Sequence, residues 1–421
     1  MTSEEKAEPA SAWLRLLLLF TFANFVGGAF FGQVTAFTPL YLPQLGLSPH
    51  DVAAWTGALA ALSSAIGIPF LPLWGALADR YSRKPVIVRA FVAHLLASMG
   101  MLMASNIYVF VVGRALIGFA LGNAGLMMTT LSERAPRRRL GLAFAVVNSA
   151  LPVGLLLGHL FGGPIVDSGG FPTLLLVNIG LMLAVILMLT FGYRDAFKGT
   201  DRGPILRMAL DSVTIIWRSP CLRVLFPSLF LLFGGRVLAS TYVPLAVTTL
   251  YAGNETGKAV GFVVGVGGLA TLALSPVVGA LADRFGHWRI LFLTSIVAAV
   301  LWPLPALADD LTSFVILWGL LSGIASSVSA VSFAVLSSAV SSGERGRVMA
   351  FALLPANAGG LIGPAIGSLV TRHSVFTVFP IAAAMTAAGV AALALAARHR
   401  PAQETDSPRV SSPVPDRKSV V

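Results

Sequence analysis

"GALADR" stands at Gly75–Arg80 and returns at Gly279–Arg284, each copy closing a long apolar run. The composition around it avoids water: 56% of residues are hydrophobic, 11% are charged, and mean hydropathy is +0.83. An ordinary soluble domain is about 25% charged, so this chain cannot supply a wettable surface of its size. The net charge of +11 suits a nucleic-acid partner only where the basic residues gather on one face. Here they are scattered between apolar segments, and no such partner is expected. The single cysteine, Cys221, excludes an internal disulfide and any metal-type Cys spacing. Neither a metal nor a cofactor is expected.

A window of about 20 residues, the length that crosses roughly 30 Å of hydrocarbon, predicts twelve spans. They lie near 16–40, 53–74, 85–105, 107–130, 141–165, 172–192, 223–249, 259–282, 290–308, 313–339, 348–370 and 375–396. The first exceeds the apolar core of a signal peptide, and no small-residue cleavage site follows it, so it reads as a retained helix. The expected organisation is an N-terminus over 1–12, a six-helix half over 13–192, a linker over 193–222, a second six-helix half over 223–397, and a disordered tail over 398–421. Within the linker, "ILRMALDSVTIIW" has apolar residues at helical spacing, which suits either an interfacial helix or a plain spacer helix.

Orientation follows from Lys and Arg in the short loops. One set holds Arg80, Arg83, Lys84, Arg134, Arg137, Arg138, Arg139, Arg284, Arg289, Arg345 and Arg347. The other holds Lys258 and Arg372 beside Asp51, Asp167, Glu255, Asp309 and Asp310. The first set is expected in the cytoplasm, with both termini and the linker. The two "GALADR" copies then close the second and eighth spans at that face.

A shift of about 204 or 205 residues superimposes more than these hexads. Pro39 falls on Pro244, Gly118 on Gly323, and "GLLLGHLFGG" (154–163) on "GGLIGPAIGS" (359–368). Two parallel six-helix halves place a substrate site near the bilayer midplane between them, served by rocking of one half against the other. The fold class is therefore an all-α membrane protein of twelve transmembrane helices in two pseudo-symmetric halves.

With these motifs in order, the sequence resembles the major facilitator superfamily, and most of all its twelve-helix drug:proton antiporters. "GALADRYSRK" (75–84) is similar to the family's loop motif between helices 2 and 3, with Ser82 where Gly is usual. "GRALIGFALG" (113–122) resembles the helix 4 motif and carries Arg114, and "TPLYLP" (38–43) resembles the helix 1 pattern. "GLLLGHLFGG" resembles the helix 5 antiporter motif with His159 in place of Pro, while the second half keeps Pro364. The likeness covers about residues 13–397. It implies that Gly75, Asp79, Arg80, Arg83 and Lys84, with Gly279, Asp283 and Arg284, form a cytoplasmic gate that locks when the cavity faces out.

The same residues have physical readings of their own. Asp79 and Asp283 sit where a carboxylate can face a helix N-terminus, a contact of about 0.3–1 kcal/mol, while the neighbouring basic residues serve equally as topology signals. Gly154, Gly158, Gly162 and Gly163, with Gly359, Gly363, Pro364 and Gly367, give small-xxx-small spacing, which lets helix backbones approach closely.

Charges inside the hydrocarbon are costly, about 2.5–3.5 kcal/mol each on insertion scales, and usually face a cavity or a partner. Arg114 and Arg236 fall at mid-helix, with His94 and His159, whereas every Asp and Glu maps to a loop, linker, tail or helix end. Arg114 serves either substrate or coupling, or else bonds backbone carbonyls or Asn24. Arg236 and His159 carry the same pair of readings, and His94 reads as a packing histidine. Asn24, Gln33, Tyr242 and Asn357 lie on helices that line the cavity in this family, with core hydrogen bonding as their ordinary alternative.

"GNETGKA" (253–259) has three residues between its glycines where a P-loop has four, and lacks the Ser or Thr after Lys258. ATP is therefore not expected as a partner. Asn254-Glu255-Thr256 matches a glycosylation sequon, a pattern short enough to occur by chance. No His-x-x-x-x-Asp or other catalytic cluster is present, so no enzyme activity is expected. The expected protein is a multi-pass secondary transporter of the plasma membrane, which is the inner membrane if the cell is Gram-negative, exporting small lipophilic compounds against protons. The midplane arginines without carboxylates suit a facilitator or exchanger of organic anions instead.

Overall fold

The computed structural model describes residues 10–195, 216–340, 348 and 351–399, and among them there are helices and no strands. The helices are α1 Ala10–Tyr41, α2 Pro49–Arg80, α3 Arg83–Leu102 and α4 Ile107–Arg134. Leu140–Gly192 is one 53-residue run with a sharp bend at Gly170 (φ 76°, ψ 173°), which divides it into α5 (140–169) and α6 (171–192). The second half comprises α7 Pro220–Leu250, α8 Thr256–Phe285, α9 His287–Leu301, α10 Leu311–Ser338, α11 Leu354–Val370 and α12 Val378–Arg398. Ten stretches are long and apolar enough to cross a membrane; dividing the 53-residue run and adding the shorter apolar α11 accounts for twelve helices.

Local chemistry sets the helix ends. The Asn106 side chain accepts from the Tyr108 and Val109 N–H groups at 3.0 and 3.1 Å and starts α4. Asp310 does the same for α10 through Ser313 N–H at 2.8 Å, and Pro49 and Pro220 occupy first-turn positions of α2 and α7, where a missing N–H costs nothing. Polar residues inside the apolar helices are satisfied within them: the Thr21, Thr56 and Ser98 hydroxyls donate to carbonyls four residues back at 2.7–2.9 Å.

The repeat seen in the sequence recurs in the packing. A Cβ built on Gly154 would stand 2.1 Å from the Phe25 carbonyl oxygen, and one on Gly158 2.7 Å from Ala29, so α5 lies backbone to backbone on α1. In the second half Gly359 and Gly363 bring α11 onto Gly234 of α7, where Cβ atoms would approach to 2.8 and 2.6 Å. Gly118 of α4 meets the Ser63 carbonyl of α2, and its repeat partner Gly323 of α10 meets Ala270 of α8. Adding a methyl at such contacts is overpacking, which costs about 1–3 kcal/mol.

The span expected over 107–130 is present as Ile107–Arg134, with an irregularity inside it: regular helix gives way at Ile117–Ala120 and Gly122 takes φ +96°, a left-handed value that favours glycine. The Leu121 carbonyl at the break accepts from Arg89 Nη2 at 3.0 Å, and that guanidinium lies 3.7 Å from the centre of the Trp74 ring. Arg89, half-buried within α3, is thus a further arginine bonded inside the bundle, besides the mid-helix Arg114 and Arg236. Helix α1 starts at Ala10, earlier than the boundary expected at residue 13, and α11 starts at Leu354, later than 348. Arg345, Arg347, the tail after 399 and most of the linker fall outside the described residues.

Candidate functional site: the cleft between the halves

The halves meet along two seams, α5 with α8 and α2 with α11. Along the first, the fit is tight at one end and open at the other. A Cβ on Gly257 would stand 2.6 Å from Asp167 Oδ1 and 2.7 Å from the Gly163 carbonyl, one on Gly261 2.4 Å from the His159 carbonyl, and one on Gly265 2.7 Å from Leu160. On Gly268 it would be in ordinary contact, 3.5 Å from Leu156, and on Gly279, three turns further along the same face, it would meet nothing within 4 Å. Gly141, at the matching end of α5, also faces open space. The second seam is tight at the same end, where a Cβ on Gly57 would collide with the Tyr242 hydroxyl and the Pro364 carbonyl at 2.0 and 2.3 Å. The cleft therefore closes at the end of the acidic loops and widens toward the end of the basic ones.

Several expected cavity residues are in fact packed. Tyr242 is fully buried, and its hydroxyl donates to the Pro364 carbonyl at 3.2 Å, tying α7 to α11. Gln33 accepts from Asn178 Nδ2 at 2.9 Å in a buried bond between α1 and α6. Asn24 donates to the Met127 sulfur at 3.5 Å, and among the described residues it makes no bond to Arg114, one of the alternatives the sequence offered. His94 packs on Phe30, with ring centres 4.6 Å apart. His159 is buried with its Nε2 against Gly32 of α1 and its carbonyl against Gly261 of α8, while Nδ1 finds no acceptor or donor among the described residues. Arg114 is buried with Nε and Nη1 unpartnered, and half-buried Arg236 has an unpartnered Nε, again among the described residues. Asn357, near the start of α11, is half-buried.

At the basic end the loop from α2 to α3 is anchored to its own half. Arg83 donates through both terminal nitrogens to Glu133 at the end of α4, at 2.6 and 2.8 Å. Asp195, just beyond α6, accepts from Ser82 Oγ and the Arg83 N–H at 2.7 Å each and from the Lys84 N–H at 3.1 Å, capping α3 from a distance in sequence. Lys84 Nζ reaches the Thr190 carbonyl at 2.6 Å, and Arg80 lies over the Tyr81 ring. The side chains at Gly75 and Asp79 lie outside the described residues. Asp283, expected to face a helix N-terminus, is exposed and meets the side chain of His287, the first residue of α9, at 3.1 Å, while Arg284 lies over Phe285. The contact therefore joins the last turn of α8 to the first residue of α9.

The sequence profile described as the Major Facilitator Superfamily matches residues 17–302 and 247–420. The chain belongs to that superfamily. It is 30% identical over 308 residues to multidrug resistance protein MdtG of Escherichia coli O81 (strain ED1a), covering 71% of this chain and 73% of the relative. Among solved structures, nucleoside transporter NupG superposes with a TM-score of 0.73 at 15% identity, covering 91% of this chain and 99% of the other. A D-xylose-proton symporter gives 0.72 at 17% identity, covering 92% and 98%. These likenesses show the fold, and the protein is a multi-pass superfamily transporter homologous to a multidrug resistance protein.

Four residues in this superfamily member have bonds that the sequence reading missed: Asp167, read only as a loop charge, and Glu133, Asp195 and Asn178. Each acts through a partner that is 50 or more residues away. Only Asn178 carried a signal in the sequence, as a lone amide in an apolar run.

Proposed function

We propose that the protein exports small, largely lipophilic compounds across the plasma membrane, the inner membrane in a cell with two, by alternating access coupled to proton antiport. The observation that carries this reading is the graded α5–α8 seam, tight at Gly257 and open at Gly279, in a homologue of a multidrug resistance protein. The basic loops face the cytoplasm by the positive-inside rule, with both termini and the linker beside them, so the cleft is open to the cytoplasm and closed to the outside. Arg114, Arg236 and His159 serve the substrate or its coupling ion, and Gly75, Asp79, Asp283 and the flanking arginines form the inner gate once the cleft closes there.

A second reading, an exchanger of organic anions, is favoured by one observation: Arg114 and Arg236 hold unpartnered guanidinium nitrogens, while every acidic residue maps to a helix end or loop. Counterflow of cationic, neutral and anionic compounds in proteoliposomes, with substrate-induced proton movement followed in wild type, His94→Ala and His159→Ala, separates the two. Proton exchange abolished by His159→Ala with a preferred cation supports the antiporter. Anion counterflow without proton movement supports the exchanger.

A further inference from the structure

Asp167 lies near the outer end of α5, and both of its carboxylate oxygens cross to the other half. Oδ1 accepts from the Gly257 N–H and Oδ2 from the Lys258 N–H, each at 2.7 Å. These belong to the first turn of α8, which begins at Thr256, where the first four N–H groups have no partner within their own helix. A carboxylate there is held by two charge-assisted hydrogen bonds and by the positive end of the helix dipole. The Lys258 ammonium is paired with Glu255, immediately before its own helix, so the link across the seam runs to backbone. The geometry depends on two missing side chains: a Cβ on Gly163 would stand 2.4 Å from the Gly257 carbonyl, and one on Gly257 would strike the carboxylate itself.

We infer that Asp167 is the latch of the outer gate, a positioning residue whose bonds to the start of α8 hold the halves together outside while the cleft is open inside. The latch is single. The repeat shift carries Asp167 to Arg372, and Gly257 and Lys258 to Val52 and Ala53, so the α2–α11 seam has no equivalent carboxylate. That seam closes through the tight packing of Gly57 on Tyr242 and Pro364. Both seams are thus closely packed at this end, and the α5–α8 seam adds the breakable polar bonds of Asp167. When the outer gate opens, water takes over both the carboxylate and the two N–H groups, which leaves none of them buried and unpaired in either state.

The inference rests on alternating access but on no particular substrate, and its test needs none. In a Cys221→Ser background, spin labels at Ser105→Cys and Asp309→Cys report the separation of the halves outside, and labels at Ser132→Cys and Arg289→Cys report it inside, by pulsed electron resonance on the full chain in lipid. Asp167→Asn should raise the outward-open to inward-open ratio about three- to tenfold, lengthening the outer distance as the inner one shortens, and Asp167→Glu should fall between it and wild type. Lys258→Pro, which removes one donor at a first-turn position that tolerates proline, should act like Asp167→Asn, whereas Lys258→Ala, which keeps the N–H, should match wild type. Wild-type distances in Asp167→Asn and Lys258→Pro would overturn the latch, as would an equal shift in Lys258→Ala. These outcomes stand whether the substrate is a cation, a neutral compound or an anion.

Discussion

Arg83 and Glu133 face each other through two parallel N–H···O bonds of 2.6 and 2.8 Å, joining the start of α3 to the end of α4. The guanidinium is nearly enclosed and the carboxylate is half exposed. A planar fork is needed to bond both oxygens at once, which an ammonium cannot do. Arg83→Lys and Glu133→Gln should each lower stability by about 1 kcal/mol, discounted for the exposed carboxylate. Thermal unfolding in detergent checks this: each single variant should melt a few degrees early, and the double variant should lose little more than either, because the two share one interaction.

Asp79→Asn should insert normally and slow transport, because the proposed inner gate loses the charge it offers to a helix end when the cleft closes at that side. Initial rates normalised to protein in the membrane test it. Wild-type turnover would remove Asp79 from the gate.

Arg114→Lys should abolish most transport at unchanged expression. The Nε and Nη1 atoms of Arg114 have no partner among the described residues, and the planar set of five donors is what a substrate or a coupling group would engage. Normal transport by the lysine variant would show that any positive charge suffices there.

Gly57→Ala should shift the protein away from the outward-closed state. Its methyl would meet the Tyr242 hydroxyl and the Pro364 carbonyl at 2.0 and 2.3 Å, so α2 must withdraw from α11. Protease or maleimide access from the outside should rise, while Gly268→Ala, where the same addition makes ordinary contact at 3.5 Å, should leave access unchanged.

The helices and their two-half arrangement were legible in the sequence because they rest on local physics: apolar length, loop charge and glycine spacing are all written within one or two turns. The Gly154 and Gly359 contacts follow from the motifs that contain them. The polar sites were less legible. Gln33 and Tyr242 looked like cavity residues because each is a polar group on a cavity-lining helix, but hydropathy does not say which face of the helix a residue takes, and both found partners in neighbouring helices. Asp167 looked like a loop charge, since its bonds go to the backbone of a helix that begins 89 residues later. Backbone donors leave no mark in a residue pattern.

Gly170 joins α5 to α6 without a loop, and its left-handed φ of 76° makes the whole turn. Both limbs are braced on α1, the first through Gly154 and Gly158 and the second through Asn178 on Gln33. Just past the far end of the second limb stands Asp195, which grips the start of α3. The N-terminal half is therefore triangulated like a roof truss, with its apex at one face of the membrane and a tie at the other. Rotation at the apex reaches the tie with no slack to take up, and the two faces need no relay of side chains to move together. An inserted residue or two at 169–171, harmless in an ordinary surface loop, would here sever one face of the membrane from the other.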